Sequence, residues 1–530
     1  MSVISKAQGR SRSADSADIK FYIPLILSIL LLLVLNIVWG QNWIDSDMSA
    51  EMVFSDLLGD TGHYIASPDW YYSTEFRILY TQLLFVPLLK LFGSWAAVRV
   101  LTNLFFYCFL IASYIFMMYG YDRRYVILTS SVLLLPFSET IAQHMQLGNT
   151  YMSHMILMFL CVGLVRRLDA GEYGRNLKSL FWLLLVSLSL VCGASGVRYF
   201  LMIYAPLLIT GVWRAYKICG IAEGALKRWR KNLGLFGIGL VASASAFIGY
   251  LYNTLFIRSG YIFTTYESVS FVPINNGIWY ERAASVFGCL LEIFGYIPGG
   301  SVLSLRGVVT CIAFVMIFLM FFMVKRMAGE AVLGSGSLGG ADTYTVSDLS
   351  DLFFVHFFIS GFAVMTFFLT FTDTTLTPRY FSSCIYMALP VLAIWLIREN
   401  DNALRQVYVV ALAFCLAVSV LKISYSLAIN DKNVSRREVA EYLVSNGHLH
   451  GYTLYDDSNI LVELSDGKLQ TGALNGDLEG FFLWSTPARF YGDDVASGDF
   501  IALPEGMASE GVKGAAYETT VAGYDIFICP

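Results

Sequence analysis

Charge is what this sequence has least of. Asp, Glu, Lys and Arg make up 14% of its 530 residues, where soluble domains carry roughly 25%. That is too little to clothe a water-facing surface, so a soluble enzyme is excluded. A disulfide framework is absent too. Cys108, Cys161, Cys192, Cys311, Cys384 and Cys415 sit in apolar runs, where cysteine behaves as a small hydrophobe, and Cys529 stands alone in a polar tail. The first apolar segment, Phe21 to Trp39, lacks a small-residue cleavage site and reads as a retained anchor. The net charge of -5 says little, because sidedness matters more than the sum in a membrane protein. No nucleic-acid partner is expected.

Long hydrophobic runs are what the sequence has instead: 56% of residues are hydrophobic and the mean hydropathy is +0.61. A bilayer core about 30 Å thick needs ~20 apolar residues per helix. Such stretches recur through residues 21–425, at 21–39, 95–119, 126–143, 151–165, 179–195, 199–213, 233–253, 302–324, 353–371, 380–397 and 406–424. The expected fold is an α-helical polytopic membrane protein of about eleven transmembrane helices. Residues 1–20 form a basic arm with Lys6, Arg10, Arg12 and Lys20, placed in the cytoplasm by the positive-inside rule. The acidic first loop, 40–94, then lies outside. Phe76 to Phe92 is interrupted by Pro87 and is read as an interfacial helix. With that choice about 20 basic residues fall inside and about 8 outside.

Two regions are not membrane. Residues 327–350 are rich in Gly and Ser and read as a flexible cytoplasmic linker. Their Gly334–Gly339 matches a dinucleotide fingerprint in form, but no strand precedes it. Residues 433–530 are expected to form a small extracytoplasmic α/β domain. Ser435 to Leu443 reads as a helix there, and Gly451–Leu454, Ile460–Leu464, Phe500–Leu503 and Tyr524–Ile528 as strands.

Three clusters carry chemistry. Asp45, Asp47, Glu51 and Asp56 follow the first helix. Asp47 and Glu51, four apart, share a helical face and repel; alternatively Asp47 caps a helix and the rest is solvated loop. Arg198 and Arg379 each precede a Tyr (Tyr199, Tyr380) where a helix enters the membrane from outside. They either snorkel to lipid phosphates or bind a substrate phosphate, with Arg77 and Lys90 near enough to join. The outer turn 136–154 gathers Glu139, His144, Asn149, Tyr151 and His154, which either orient sugar hydroxyls or satisfy one another between helices. The histidines define no metal site. An aspartate taking a proton from an acceptor hydroxyl while arginines stabilise a phosphate leaving group accounts for the combination.

The order of a first helix, an acidic loop leading into a helix, an interfacial helix, outer Arg-Tyr positions and a C-terminal α/β domain resembles the GT-C superfamily. These are the polyprenyl-phosphate-sugar-dependent glycosyltransferases, including protein O-mannosyltransferases and aminoarabinose transferases. Asp69-Trp-Tyr-Tyr-Ser-Thr-Glu-Phe-Arg77, Thr81-Gln82 and Val462-Glu-Leu-Ser-Asp-Gly-Lys468 look like a bacterial branch. The resemblance implies Asp47 as general base, with Asp45 as fallback and Glu51 or Glu75 as a second acid. It implies Arg379, then Arg198 and Arg77, with Tyr380 beside them, as phosphate ligands. Glu75, Glu139, His144, Asn149 and Tyr151 would hold sugar or acceptor. No cofactor is required, although the acids leave room for a divalent metal. The implied partners are a polyprenyl-phosphate sugar donor, a glycan, lipid or protein acceptor, and membrane lipid. A lipid-linked-glycan flippase, a glycan polymerase and a non-catalytic sensor are the rival readings.

Overall fold

The computed structural model describes residues 16–171, 173–219, 234–264, 269–273, 277–299, 301, 303–333, 346–492, 494–508, 512 and 514–530. Helices follow in the order α1 (Ser16–Trp39), α2 (Ser46–Thr61), α3 (Gln82–Leu91), α4 (Trp95–Met117), α5 (Arg123–Leu133), α6 (Met152–Ala170), α7 (Arg175–Ser195), α8 (Ala205–Cys219), α9 (Gly234–Tyr252), α10 (Ile278–Glu292), α11 (Leu305–Leu333), α12 (Val346–Phe371), α13 (Ser382–Arg398) and α14 (Asn402–Ile429). Beyond the bundle come α15 (Val434–Ser445) and α16 (Tyr455–Leu464).

Among the described residues eight helices are long and apolar enough to cross a membrane. The pair Glu139–Leu147 and Met152–Ala170, bent by 80°, makes a ninth if it is one span. The chain is an integral membrane protein. Its apolar outer face follows from composition: α1 turns Ile23, Ile26, Leu30, Val34 and Ile37 outward, each about half exposed or more.

The expected eleven spans differ from this in two places. In 126–143, α5 stops at Leu133, just before Pro136, which lacks an N–H and disfavours helix in the residue before it. In 199–213 a helical path runs from Phe200 through α8 to Cys219, and its apolar part is Phe200–Tyr216. The interfacial segment 76–92 is helical only over the ten residues of α3, roughly 15 Å, which cannot span. Of the linker 327–350, residues 327–333 end α11 and 346–350 begin α12. Gly334–Gly339 lies outside the described residues, as does the basic arm before Ser16.

The turn between α1 and α2 is bound to the turn after α14. Asn42 Nδ2 donates to Leu427 O (2.9 Å) and Trp43 Nε1 to Asn430 O (2.9 Å). Asn433 Nδ2 donates to Gln41 O (2.8 Å) and Ile44 O (3.0 Å). These bonds set where α2 begins.

The C-terminal domain is a five-stranded sheet in the order β4 (Gln470–Leu474), β3 (His450–Leu454), β5 (Phe500–Pro504), β7 (Tyr524–Ile528), β6 (Ala516–Val521). β3 pairs in parallel with β4 and β5, and β7 pairs antiparallel with β5 and β6. A separate two-residue pair joins β1 (Tyr71–Tyr72) to β2 (Ile262–Phe263). α15 and α16 cover one sheet face through Val439, Leu443 and Leu461 against Phe500 and Ile526. Ile460–Leu464 is therefore not the expected strand but the second half of α16. A run of five residues that is apolar except for Glu463 fits a strand or a buried helix equally well, and here it serves as the α crossover of β3–α16–β4. Val462 and Phe490 join Phe54, Leu58, Phe85, Val86 and Trp95 in one buried cluster, so the domain shares a core with α2, α3 and α4.

Candidate active site

α2 carries the acids. Asp45 is its N-cap: Oδ1 accepts from Met48 N (2.8 Å) and Oδ2 from Gln143 Nε2 (2.9 Å). The cap expected of Asp47 thus belongs to Asp45, and this leaves Asp47, in the first turn, free to point elsewhere. The helix ends at Gly62, whose φ of 73° supplies the left-handed cap residue.

Asp47 opens into a cavity of about 400 Å³. Glu51, Glu75, Arg77, Arg198, Arg379 and Tyr380 line the same cavity, so seven of the residues singled out from sequence come together. Arg379 Nη1 lies 3.3 Å from Asp47 Oδ2. The Tyr455 hydroxyl donates to Asp47 Oδ1 at 3.1 Å. Arg77 pairs with Glu51 and sits 3.6 Å from Glu75, while Thr81 Oγ1 donates to Glu51 (3.1 Å). Glu75 also holds Arg198, at 3.0 Å, and lies 3.8 Å from His154. The expected repulsion between Asp47 and Glu51 is thus answered by a different arginine for each acid.

Burial alone would raise the Asp47 carboxyl, but Arg379, then Arg77 and the Tyr455 hydroxyl, outweigh it and hold the group below the ordinary carboxylate range. Asp45 goes the other way: burial, then repulsion from Asp47, pushes it up to about 6. Burial and the neighbouring Asp47 carboxylate raise Tyr455 well above a free phenol, so it stays a donor.

The arginines are not saturated. Arg198 Nη1 and Arg379 Nε are buried without a hydrogen-bond partner among the described residues, at a cost of about 1–3 kcal/mol for each unpaired group. Both guanidiniums lie over the Tyr151 ring, at 4.6 and 5.8 Å from its centroid. Two forks with unfilled donors above one aromatic ring suit a tetrahedral anion.

The rest of the outer-turn set divides. Tyr151 carries the arginines, and His144 touches Tyr151 at 6.3 Å between centroids. Asn149 is turned into the bundle, where its amide donates to Asn103. Glu139 pairs with Lys432, away from the cavity. Asp45 has both oxygens engaged outside it. Among the described residues no three His, Cys, Asp or Glu side chains gather as metal ligands; each cavity acid goes to an arginine instead, so a divalent ion has no ready ligand set here.

Sequence reasoning missed Tyr455, 408 residues from Asp47, because no local pattern links them. It also missed Arg99, whose guanidinium makes a two-pronged pair with Glu463 (2.6 Å each) and donates to Met48 O (3.1 Å). An arginine four positions from Asn103 on a mostly apolar helix, with Glu463 in a motif quoted for the tail, was the available signal.

The same fold occurs in a solved structure. A crystal structure of ArnT from Cupriavidus metallidurans bound to undecaprenyl phosphate superposes with a TM-score of 0.55 at 11% identity, covering 97% of this chain and 98% of that one. An Archaeoglobus fulgidus oligosaccharyltransferase in complex with Zn and sulfate aligns at 0.45 and 11% identity, over 84% of this chain and 61% of its own. No family model matches the sequence, and no curated protein does.

Proposed function

We propose that the protein is an inverting glycosyltransferase that moves one sugar from a polyprenyl-phosphate carrier to an acceptor hydroxyl at the outer face of the cytoplasmic membrane. The observation that carries the reading is the shared cavity, which holds the Asp47 carboxylate beside two arginines with unfilled N–H donors. The ArnT structure of the same fold holds undecaprenyl phosphate, which supports a carrier of that class here. The basic residues Lys6, Arg10, Arg12 and Lys20 before the first helix support an outward-running α1, which puts the acids at the outer face.

In the proposed reaction the acceptor oxygen attacks the anomeric carbon and the bond from that carbon to the phosphate oxygen breaks. The polyprenyl phosphate leaves with the bonding pair, and its charge falls to Arg379 and Arg198. The acceptor's proton passes to Asp47. One displacement inverts the anomeric centre. Before the donor arrives, Arg379 holds Asp47 as a poor base; a phosphate that claims Arg379 loosens this pair and restores basicity. Glu51 and Glu75 keep Arg77 and Arg198 in place.

The test is sugar release and transfer from a panel of polyprenyl-phosphate sugars by the full chain in liposomes. Asp47→Asn, similar in size, is expected to lose transfer by roughly 10²–10⁴-fold while still binding the donor. Undiminished transfer by Asp47→Asn would remove Asp47 as base, and failure to bind any donor would remove the transferase reading.

A further inference from the structure

The cavity has two walls of different chemistry, and the proposed function uses only one. Beside its charged residues the cavity is lined by Trp70 and Phe54, whose ring centroids are 4.9 Å apart, with Phe482 and Trp484 contributed by the C-terminal domain. The domain's segment is held in place from several sides. Tyr71 N donates to Thr486 O (3.0 Å), Ser485 N to Tyr71 O (2.9 Å) and Ala488 N to Asp69 O (2.7 Å), and Asn459 Nδ2 donates to Ser485 O (3.0 Å). Ser485 has a φ of 48°, a left-handed conformation that a non-glycine residue keeps only when its surroundings impose it. The bonds on either side of Ser485 impose it, and Trp484 is thereby fixed at the cavity wall.

Asp47 lies at the seam. On one side it meets Arg379; on the other, Tyr455, whose hydroxyl it accepts from, packs edge-on against Phe482 with centroids 5.3 Å apart. A molecule resting on the aromatic residues therefore places its hydroxyls near Asp47. Ser73, Thr74 and Ser485 also line the cavity. Of the three cavity arginines, Arg77 is engaged by Glu51 and Glu75, and the other two face the phosphate position. An anionic acceptor would meet the Asp47 carboxylate without a cation of its own.

Resting on the transferase reading, we propose that this wall is the acceptor subsite and that the acceptor is an uncharged carbohydrate. A pyranose ring offers a face of weakly positive C–H bonds that stacks on the negative face of an aromatic ring, and a rim of hydroxyls that suits a pocket with few polar groups at its edge.

Two measurements on the full-length protein test this. Tryptophan fluorescence is titrated with a panel of neutral trisaccharides (cellotriose, maltotriose, triacetylchitotriose) and with their phosphorylated counterparts, for the wild type and Trp484→Ala. Saturable quenching by a neutral sugar, lost in Trp484→Ala and weaker by at least tenfold for the phosphorylated form, is expected. With a donor that supports transfer, Trp484→Ala is expected to raise the acceptor KM at least ten times more than the donor KM, and Trp484→Phe to restore most of the loss. Equal quenching in wild type and variant, no quenching by any neutral sugar, or preference for the phosphorylated sugars overturns the proposal. So does a rise confined to the donor KM, which would give the wall to the carrier's isoprenoid chain. The fluorescence titration needs no donor, so failure of the transferase reading is seen separately as absence of release in the liposome assay.

Discussion

Asp45 and Asp47 stand two residues apart on the same helix start and differ in what faces them. Asp47 meets Arg379 and Tyr455; Asp45 meets two neutral donors, a backbone N–H and the Gln143 amide. Its carboxyl is pushed up to about 6, above the unfolded value near 3.9. Between those values the folded chain binds more protons than the unfolded one, so this group's contribution to stability is fully present below pH about 4 and is lost as the pH rises through about 6. Asparagine caps a helix as well as aspartate does and does not titrate. Asp45→Asn is therefore expected to melt at a higher temperature than wild type above pH about 6, with the gap closing towards pH about 4. Thermal melts of the detergent-solubilised protein across that range check it; a gap independent of pH would mean that the Asp45 charge is not the source.

The same pair marks what was legible at this scale. Acids and arginines in a chain so poor in charge are conspicuous, and seven of them or their neighbours do converge on one cavity. Which aspartate caps and which faces the cavity depends on a backbone dihedral and on Gln143, and neither is visible in the spelling of residues 45–47. Tyr455 and Trp484 were hidden for another reason. Tyrosine and tryptophan are common in this chain, and only tertiary contact distinguishes these two.

At the scale of elements, the joint between α4 and α16 carries the tightest constraint. Arg99 and Glu463 are almost fully buried, and the same guanidinium holds the Met48 carbonyl in the first turn of α2. Removing one partner leaves the other charge buried without its counterion, which costs about 3–5 kcal/mol, whereas replacing both with apolar residues of similar size is often neutral. Glu463→Gln is expected to lower the melting temperature strongly, and the double variant Arg99→Met/Glu463→Leu to recover most of the loss, as read by thermal unfolding. Recovery of stability without recovery of transfer would show that Arg99 also positions the start of α2. Long apolar periods made most of the bundle readable from sequence. Short elements were less so: α16 resembles a strand because its second half, Ile-Leu-Val-Glu-Leu, is mostly apolar, and Pro136 decides where α5 stops.

The whole molecule is closed by contacts between its beginning and its end. The turn 41–44 is bonded to residues 427–433, α2 packs against α16 in a shared core, and Tyr455 reaches Asp47. A chain cut after residue 430 keeps the described helices of the bundle through α14 but loses Tyr455, the Glu463 partner of Arg99 and the C-terminal domain's part of the aromatic wall. It is expected to insert into membranes and to show no transfer; carbonate extraction and the release assay together check both halves. Transfer by the truncated chain would mean that the C-terminal domain is not part of the site.

That closure also sets a clock on biosynthesis. As the ribosome feeds the helices into the bilayer, the carboxylate and the arginines arrive with the bundle, but the phenol that holds the carboxylate and the wall beside it emerge only after α14. A nascent chain halted before then therefore carries the charged groups with the cavity unfinished, and the site is complete only when the C-terminal domain docks.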